Sequence, residues 1–104
     1  MTGLGYLEET ILLLILSMDG DAYGFSVSEA YEKHVGKSIS ISAVHTVMSR
    51  LEKKGFIQSE MGGATSERGG RRKRIFTATT AGLTMIQEIK EARQKLWNII
   101  PGLS

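Results

Sequence analysis

The chain has 104 residues, about the size of one domain, and its 41% hydrophobic and 23% charged residues exclude a disordered or collagen-like protein. It has no cysteine, which excludes a disulfide framework and is typical of a reducing cytoplasm, and its longest apolar run, residues 11–16, is far shorter than the roughly 20 residues of a membrane span. The net charge is only +2, but residues 1–36 carry a net charge of −5 and residues 37–74 a net charge of +6, which indicates a localised contact with a polyanion.

Two helices are predicted in the first third of the chain. The first, over about residues 4–18, keeps helical spacing of its apolar residues but is apolar on several sides. The second, over about residues 26–35, is expected to end at Gly36 in the left-handed conformation. Its predicted core side comprises Val27, Ala30, Tyr31 and His34.

A third helix is predicted over about residues 41–54, with Ser40 as its N-cap, and its two faces differ in chemistry. At 100° per residue, one sector is apolar and is expected in the core: Ile41, Val44, Val47, Met48 and Leu51. The opposite face and its flanks are short, polar and mildly basic: Ser42, His45, Thr46, Ser49, Arg50 and Lys53.

Residues 56–61 and 72–78 have the composition of short strands, and the glycine-rich segment between them predicts a β-hairpin with a long tip. A final helix is expected over about residues 80–99, with Thr79 as its N-cap. Its apolar residues have the 4, 3, 4, 3 spacing of a coiled-coil seam: Met85, Ile89, Ala92, Leu96 and Ile99.

This order of elements predicts a mainly α fold with a small β-hairpin, arranged as a winged helix-turn-helix (three helices and a β-wing) plus a C-terminal dimerisation helix. In such a fold the third helix enters the major groove of DNA. Five basic side chains lie within seven residues of the hairpin, beside two glycines that let the backbone approach a phosphate: Arg68, Arg71, Arg72, Lys73 and Arg74, with Gly69 and Gly70. Strand alternation turns either Arg72 and Arg74, or Lys73 alone, back toward the body.

Five segments resemble, in order and spacing, the PadR family of bacterial transcriptional regulators. They are LGYLEE (4–9), DAYG (21–24), SAVHTVMSRLEKKG (42–55), ERGGRRKR (67–74) and TTAG (79–82). The similarity extends over nearly the whole chain. The resemblance implies a dimeric winged-helix repressor that binds palindromic operator DNA and is commonly released by a small molecule.

The resemblance also implies roles for individual residues. Ser42, His45, Thr46, Ser49 and Arg50 correspond to major-groove readers, and residues 68–73 to the wing. Tyr23 corresponds to an aromatic residue that contacts the DNA backbone or positions the second helix; simple packing of this tyrosine is the alternative. The full expected DNA-binding set is Tyr23, Ser40, Ser42, His45, Thr46, Ser49, Arg50, Lys53, Arg68, Gly69, Gly70, Arg71, Arg72 and Lys73.

The first and last helices carry more apolar surface than one small core can cover, so a homodimer is expected, with residues 80–100 as its dimerisation helix. Residues 1–104 are expected to form one winged-helix DNA-binding domain. The expected interface comprises Leu7, Ile11, Leu12, Met85, Ile89, Ala92, Leu96, Trp97 and Ile99.

Trp97 is either an interface or core residue or a stacking platform for a small-molecule effector. It lies about one turn later than the tryptophan of family members with a drug site. The end of the chain soon after the last helix resembles the short subgroup of the family, in which the first and last helices form the dimer interface.

A sequence-specific, DNA-binding transcriptional regulator is therefore the predicted function, and a repressor that binds an inverted repeat is its expected form. The alternative is a winged-helix module that binds an acidic protein through its basic wing. The two histidines, His34 and His45, lie on different predicted helices and have no acidic cluster at ligand spacing, so neither an enzyme nor a metal site is expected, and no cofactor is implied.

Overall fold

Four helices and a two-stranded hairpin are present in the computed structural model, which describes residues 4–62 and 72–103. The predicted winged helix-turn-helix class is confirmed. No helix in these two ranges is long and apolar enough to cross a membrane. In chain order the elements are α1 (Tyr6–Ser17), α2 (Gly24–Val35), α3 (Ile41–Lys53), β1 (Ile57–Met61), β2 (Arg74–Ala78) and α4 (Thr80–Asn98).

Local hydrogen bonds explain where the helices begin and end. The predicted cap of α3 is present, since Ser40 Oγ accepts a hydrogen bond from the Ala43 N–H at 3.1 Å. Gly36 ends α2 in the left-handed conformation, with φ of 84°. α2 begins at Gly24, two residues earlier than predicted, and this start is supported by Ser26 Oγ, which accepts a hydrogen bond from the Tyr23 N–H at 2.9 Å.

The hairpin is antiparallel, with Ile57 opposite Ala78 and Met61 opposite Arg74. The Phe76 N–H donates a 2.8 Å hydrogen bond to the carbonyl oxygen of Ala22, in the connection between α1 and α2. The hairpin is therefore attached by backbone bonding to the segment that leads into α2.

The core lies between α1, α2, α3 and the hairpin, and most of the predicted face of α3 is in it: Val44, Val47, Met48 and Leu51. Two expectations about the core were wrong. Ile41 is 43% exposed, because it lies in the first turn of α3 at the edge of the apolar sector. His34 is exposed in the last turn of α2. Of the predicted core side of this helix, only Val27 and Tyr31 are buried.

The start of α4 is clamped to the end of α3. The side chain of Thr79 caps α4 by accepting from the Gly82 N–H at 3.1 Å, as predicted, and also donates to the carbonyl oxygen of Gly55 at 2.6 Å. The Thr79 N–H donates to the carbonyl oxygen of Phe56 at 3.0 Å. Gly82 lies directly against the Phe56 backbone, where a Cβ atom would overlap the carbonyl oxygen.

The C-terminal half of α4 extends away from this clamp. Gly82 and Ile89 are the buried residues of α4, and none of residues 90–103 is buried. The radius of gyration is 15.5 Å, compared with about 13 Å for a compact domain of this length. The C-terminal half of α4 therefore packs only sparsely on the rest of the described chain.

Candidate nucleic-acid interface

The polar face of α3 forms one continuous exposed surface. All of its predicted members are exposed and lie opposite the buried side of the helix: Ser42, His45, Thr46, Ser49, Arg50 and Lys53. Ser40 is exposed at the start of the same surface. The side chains are short apart from Arg50 and Lys53, so the helix backbone can approach a groove closely.

Two hydroxyl groups on this surface are engaged with the helix itself. Ser40 Oγ accepts the capping hydrogen bond and lies 3.4 Å from Ser42 Oγ, while Thr46 Oγ1 donates to the carbonyl oxygen of Ser42 at 3.0 Å. The oxygen of Thr46 can still accept hydrogen bonds, whereas its hydrogen is committed to the backbone.

The imidazole ring of His45 lies against Gly24, the first residue of α2. A Cβ atom at Gly24 would lie 2.5 Å from Nε2 of His45 and 3.0 Å from its Cε1. Gly24 is buried, so the absence of a side chain there leaves the space that the ring occupies. Gly24 is the last residue of the DAYG segment, but nothing in the sequence pattern indicates that Gly24 contacts His45.

The base of the wing is held beside the start of α2. Lys73 Nζ lies 4.2 Å from the centroid of the Tyr23 ring, in cation–π geometry. Of the two orientations left open by strand alternation, the structure therefore turns Lys73 toward the body. Tyr23 itself is half-buried, so part of its side chain packs on the chain and part is accessible to solvent.

The other described cations of the wing have partners within the hairpin. Arg72 Nε donates to the carbonyl oxygen of Gly62 at 3.1 Å, and Arg74 Nη1 donates to Ser59 Oγ at 3.0 Å. Ser59 in turn donates to a carboxylate oxygen of Glu52 at 2.8 Å, which links the hairpin to α3. Four predicted wing residues, Arg68, Gly69, Gly70 and Arg71, lie outside the described residues.

A buried carboxylate joins α1 to the end of α3, and sequence reasoning missed it. Glu8 accepts hydrogen bonds from Lys54 Nζ at 2.9 and 3.0 Å and from the Gly5 N–H at 3.0 Å. Burial alone would raise the pKa of Glu8, but the bonds from Lys54 and Gly5, with the charges of Lys54 and Arg50, outweigh it and hold the pKa below its ordinary value. Glu8 thus fixes the orientation of α1 relative to the helix that carries the polar face.

A groove of about 350 Å³ separates α1 from α4 on another side of the molecule. The Glu9 carboxylate and Arg93 Nη2 meet at 3.0 Å beside it, and Leu13 and Trp97 are part of its lining. Trp97 is 51% exposed, and the apolar surface continues along α4 through Leu96 and Ile99, which are 62% and 76% exposed.

This surface differs from the interface expected from the sequence. Ile11 and Leu12 are fully buried within one chain, and Ile89 is 3% exposed, because these sides of α1 and α4 pack on the chain's own core. Their placement at a dimer surface was wrong. Leu7, Met85 and Ala92 are half-buried. Tyr6 and Leu13 are the exposed apolar residues of α1 that the expectation omitted.

Known proteins share this architecture and part of the sequence. An uncharacterized protein of Lysinibacillus sphaericus is 31% identical over 98 residues, which cover 92% of this chain and 85% of that protein. The crystal structure of a PadR family transcription regulator from Clostridium difficile R20291 superimposes with a TM-score of 0.74 at 17% identity, over 92% of this chain and 95% of that one.

The structure of Bacillus subtilis PadR in complex with operator DNA matches with a TM-score of 0.66 at 21% identity, over 82% of this chain and 46% of the other. This chain thus spans less than half of that protein. The model of the transcriptional regulator PadR-like family matches residues 11–88, which include the helix-turn-helix, the hairpin and the first half of α4. With three quarters of its length matched, the chain belongs to the PadR-like family of transcriptional regulators.

Proposed function

We propose that this regulator is a repressor that binds an inverted-repeat operator as a homodimer. The observation that carries the proposal is the exposed polar face of α3, which lies beside a basic hairpin and apart from the apolar surface of α4. The operator complex of the B. subtilis relative, a protein of the same fold, supports DNA as the polyanion that this face meets.

In this proposal α3 reads base edges and the hairpin contacts phosphates. The short polar side chains of α3 allow close approach to the major groove, and the wing cations add affinity by releasing counterions from DNA. The contact between Lys73 and Tyr23 orients the base of the wing. The proposed set is Tyr23, Ser40, Ser42, His45, Thr46, Ser49, Arg50, Lys53, Arg68, Gly69, Gly70, Arg71, Arg72 and Lys73.

The homodimer is proposed to form through α1 and α4. Leu96, Trp97 and Ile99 are 62%, 51% and 76% exposed in the described chain, and a second copy related by a two-fold axis would cover them. Residues 80–100 then act as the dimerisation helix of one winged-helix domain, residues 1–104. For the two copies of α3 to enter successive major grooves, we expect the two-fold axis to hold them about 34 Å apart, one turn of DNA.

The groove beside Trp97 is the proposed place for a small-molecule effector. Its apolar wall and the nearby Glu9 and Arg93 pair suit a planar aromatic compound with a polar edge. Addition of such compounds would quench or shift the emission of Trp97, the one tryptophan of the chain. A silent Trp97 across a broad panel of planar compounds would contradict this role.

Binding of the purified protein to the DNA upstream of its own gene tests the proposal, with fluorescence anisotropy as the readout, increasing salt and random duplex as competitor. We expect two chains per site, binding that survives the competitor and a salt slope of about −0.9 for each phosphate contacted. Arg71→Ala should weaken all DNA about equally and flatten this slope, whereas Thr46→Ala should mainly relax sequence preference.

Lys33→Ala, at an exposed site in the last turn of α2, is the matched control and should leave both properties unchanged. Failure to bind any duplex tightly at moderate salt would contradict the proposal and favour an interaction with an acidic protein. Repression itself is measured with a reporter placed behind the bound promoter, whose expression should rise when the regulator is removed.

A further inference from the structure

Ile41 is an apolar side chain in a place that the core does not use. It occupies the first position of α3 and is 43% exposed, while the buried face of the helix begins one turn later at Val44. Ser42 follows it directly and His45 lies one turn beyond it on the same side, and both are exposed. The most exposed apolar residue of α3 therefore adjoins its polar surface.

The first turn of a DNA-reading helix is the part that contacts base edges. In the major groove, the apolar group that a base presents is the C5-methyl of thymine. The hydroxyls of Ser40 and Thr46 are engaged with the helix backbone, so hydrogen bonding accounts for only part of the discrimination this surface can provide.

We propose that Ile41 is a specificity-determining residue that contacts a thymine methyl group in each half-site. The inference rests on the proposed function, because it requires that α3 enters the major groove. It adds an apolar reader to a surface otherwise composed of hydroxyl, imidazole and basic groups.

The test begins with duplexes selected from a random library by the wild-type protein. Each thymine of the selected half-site is then replaced, one at a time, by deoxyuridine, which lacks only the methyl group. We expect one of these replacements, made in a single half-site, to weaken wild-type binding about fourfold, which is the effect of losing one apolar carbon from a contact. Ile41→Ala should bind the thymine and deoxyuridine duplexes equally.

Leu103→Ala is the matched control, because Leu103 is 58% exposed beyond the end of α4 and loses the same kind of side chain. This variant should keep the fourfold sensitivity, and thermal melting verifies that both variants are folded. If the wild type selects a consensus but no methyl removal weakens binding, or if Ile41→Ala stays equally sensitive, the role of Ile41 is overturned while the proposed function stands. If the wild type selects no consensus, the proposed function fails and the role of Ile41 fails with it.

Discussion

Substitution of Gly24 by alanine should alter DNA recognition without unfolding the protein. The added Cβ would lie 2.5 Å from Nε2 of His45, whereas ordinary contacts begin near 3.4 Å, so the two atoms must separate by about 1 Å. The atom that must yield is the far end of an exposed side chain, which can rotate away at small cost. His45 then leaves the position from which it is proposed to reach a base.

The expected loss follows from what one base contact contributes. A single contact from an imidazole is at the low end of the range for direct readout, about 1 kcal/mol, which corresponds to about fivefold in affinity per half-site. Gly24→Ala should therefore resemble His45→Ala in its affinity for the selected operator and in its reduced preference over one-base variants. The double variant should lose no more than either single variant.

Anisotropy titrations of the four proteins against the selected operator and its one-base variants measure these differences, and urea unfolding monitors stability. Full wild-type affinity and preference in Gly24→Ala, with a clear loss in His45→Ala, would refute the reasoning, because the location of the ring on Gly24 would then not matter. Additive losses in the double variant would equally show that the two residues act separately.

Three further predictions concern stability and assembly. Gly82→Ala should lower the free energy of unfolding by about 2 kcal/mol, because the added Cβ would overlap the Phe56 backbone and break the two hydrogen bonds that join Thr79 to the end of α3. Unchanged urea midpoints would contradict this prediction. The pKa of Glu8 is lowered in the folded state, so the stabilising contribution of Glu8 is complete above the ordinary pKa of 4.5 and is lost as the pH falls through the lower folded-state pKa. The free energy of unfolding of Glu8→Gln should therefore fall less steeply in acid than that of the wild type. The exposed Glu29→Gln is the control. Leu96→Glu should give a folded monomer by light scattering with unchanged circular dichroism, and a persistent dimer would place the interface elsewhere.

The sequence predicted α3 well because the two faces of that helix differ in chemistry. Its cap follows from the serine at position 40, and its length and exposed polar face follow from the spacing of its apolar residues. α1 is the opposite case, since it is apolar nearly all round and its pattern defines no single buried side. In the folded chain Ile11 and Leu12 face the core and Tyr6 and Leu13 are exposed, and this outcome depends on how the other helices pack against α1.

Contacts between residues distant in the chain could not be predicted from the sequence, for a different reason. The pair of Glu8 and Lys54 joins residues 46 positions apart, and no local periodicity encodes it. The packing of His45 on Gly24 is likewise a property of the angle between α2 and α3. The heptad spacing of α4 correctly marked an apolar seam, but Ile89 on that seam is covered by the chain's own body, whereas Leu96 and Ile99 lie beyond it.

The clamp at the start of α4 makes that helix a lever. Its 19 residues span about 28 Å, so a rotation of about 7° at Thr79 displaces the far end by about 3.4 Å, the rise of one base pair. In the proposed dimer the far ends of two such levers meet, and their clamped ends adjoin the two copies of α3. In that dimer, the angle fixed by Thr79 and Gly82 would influence the distance between the two copies of α3.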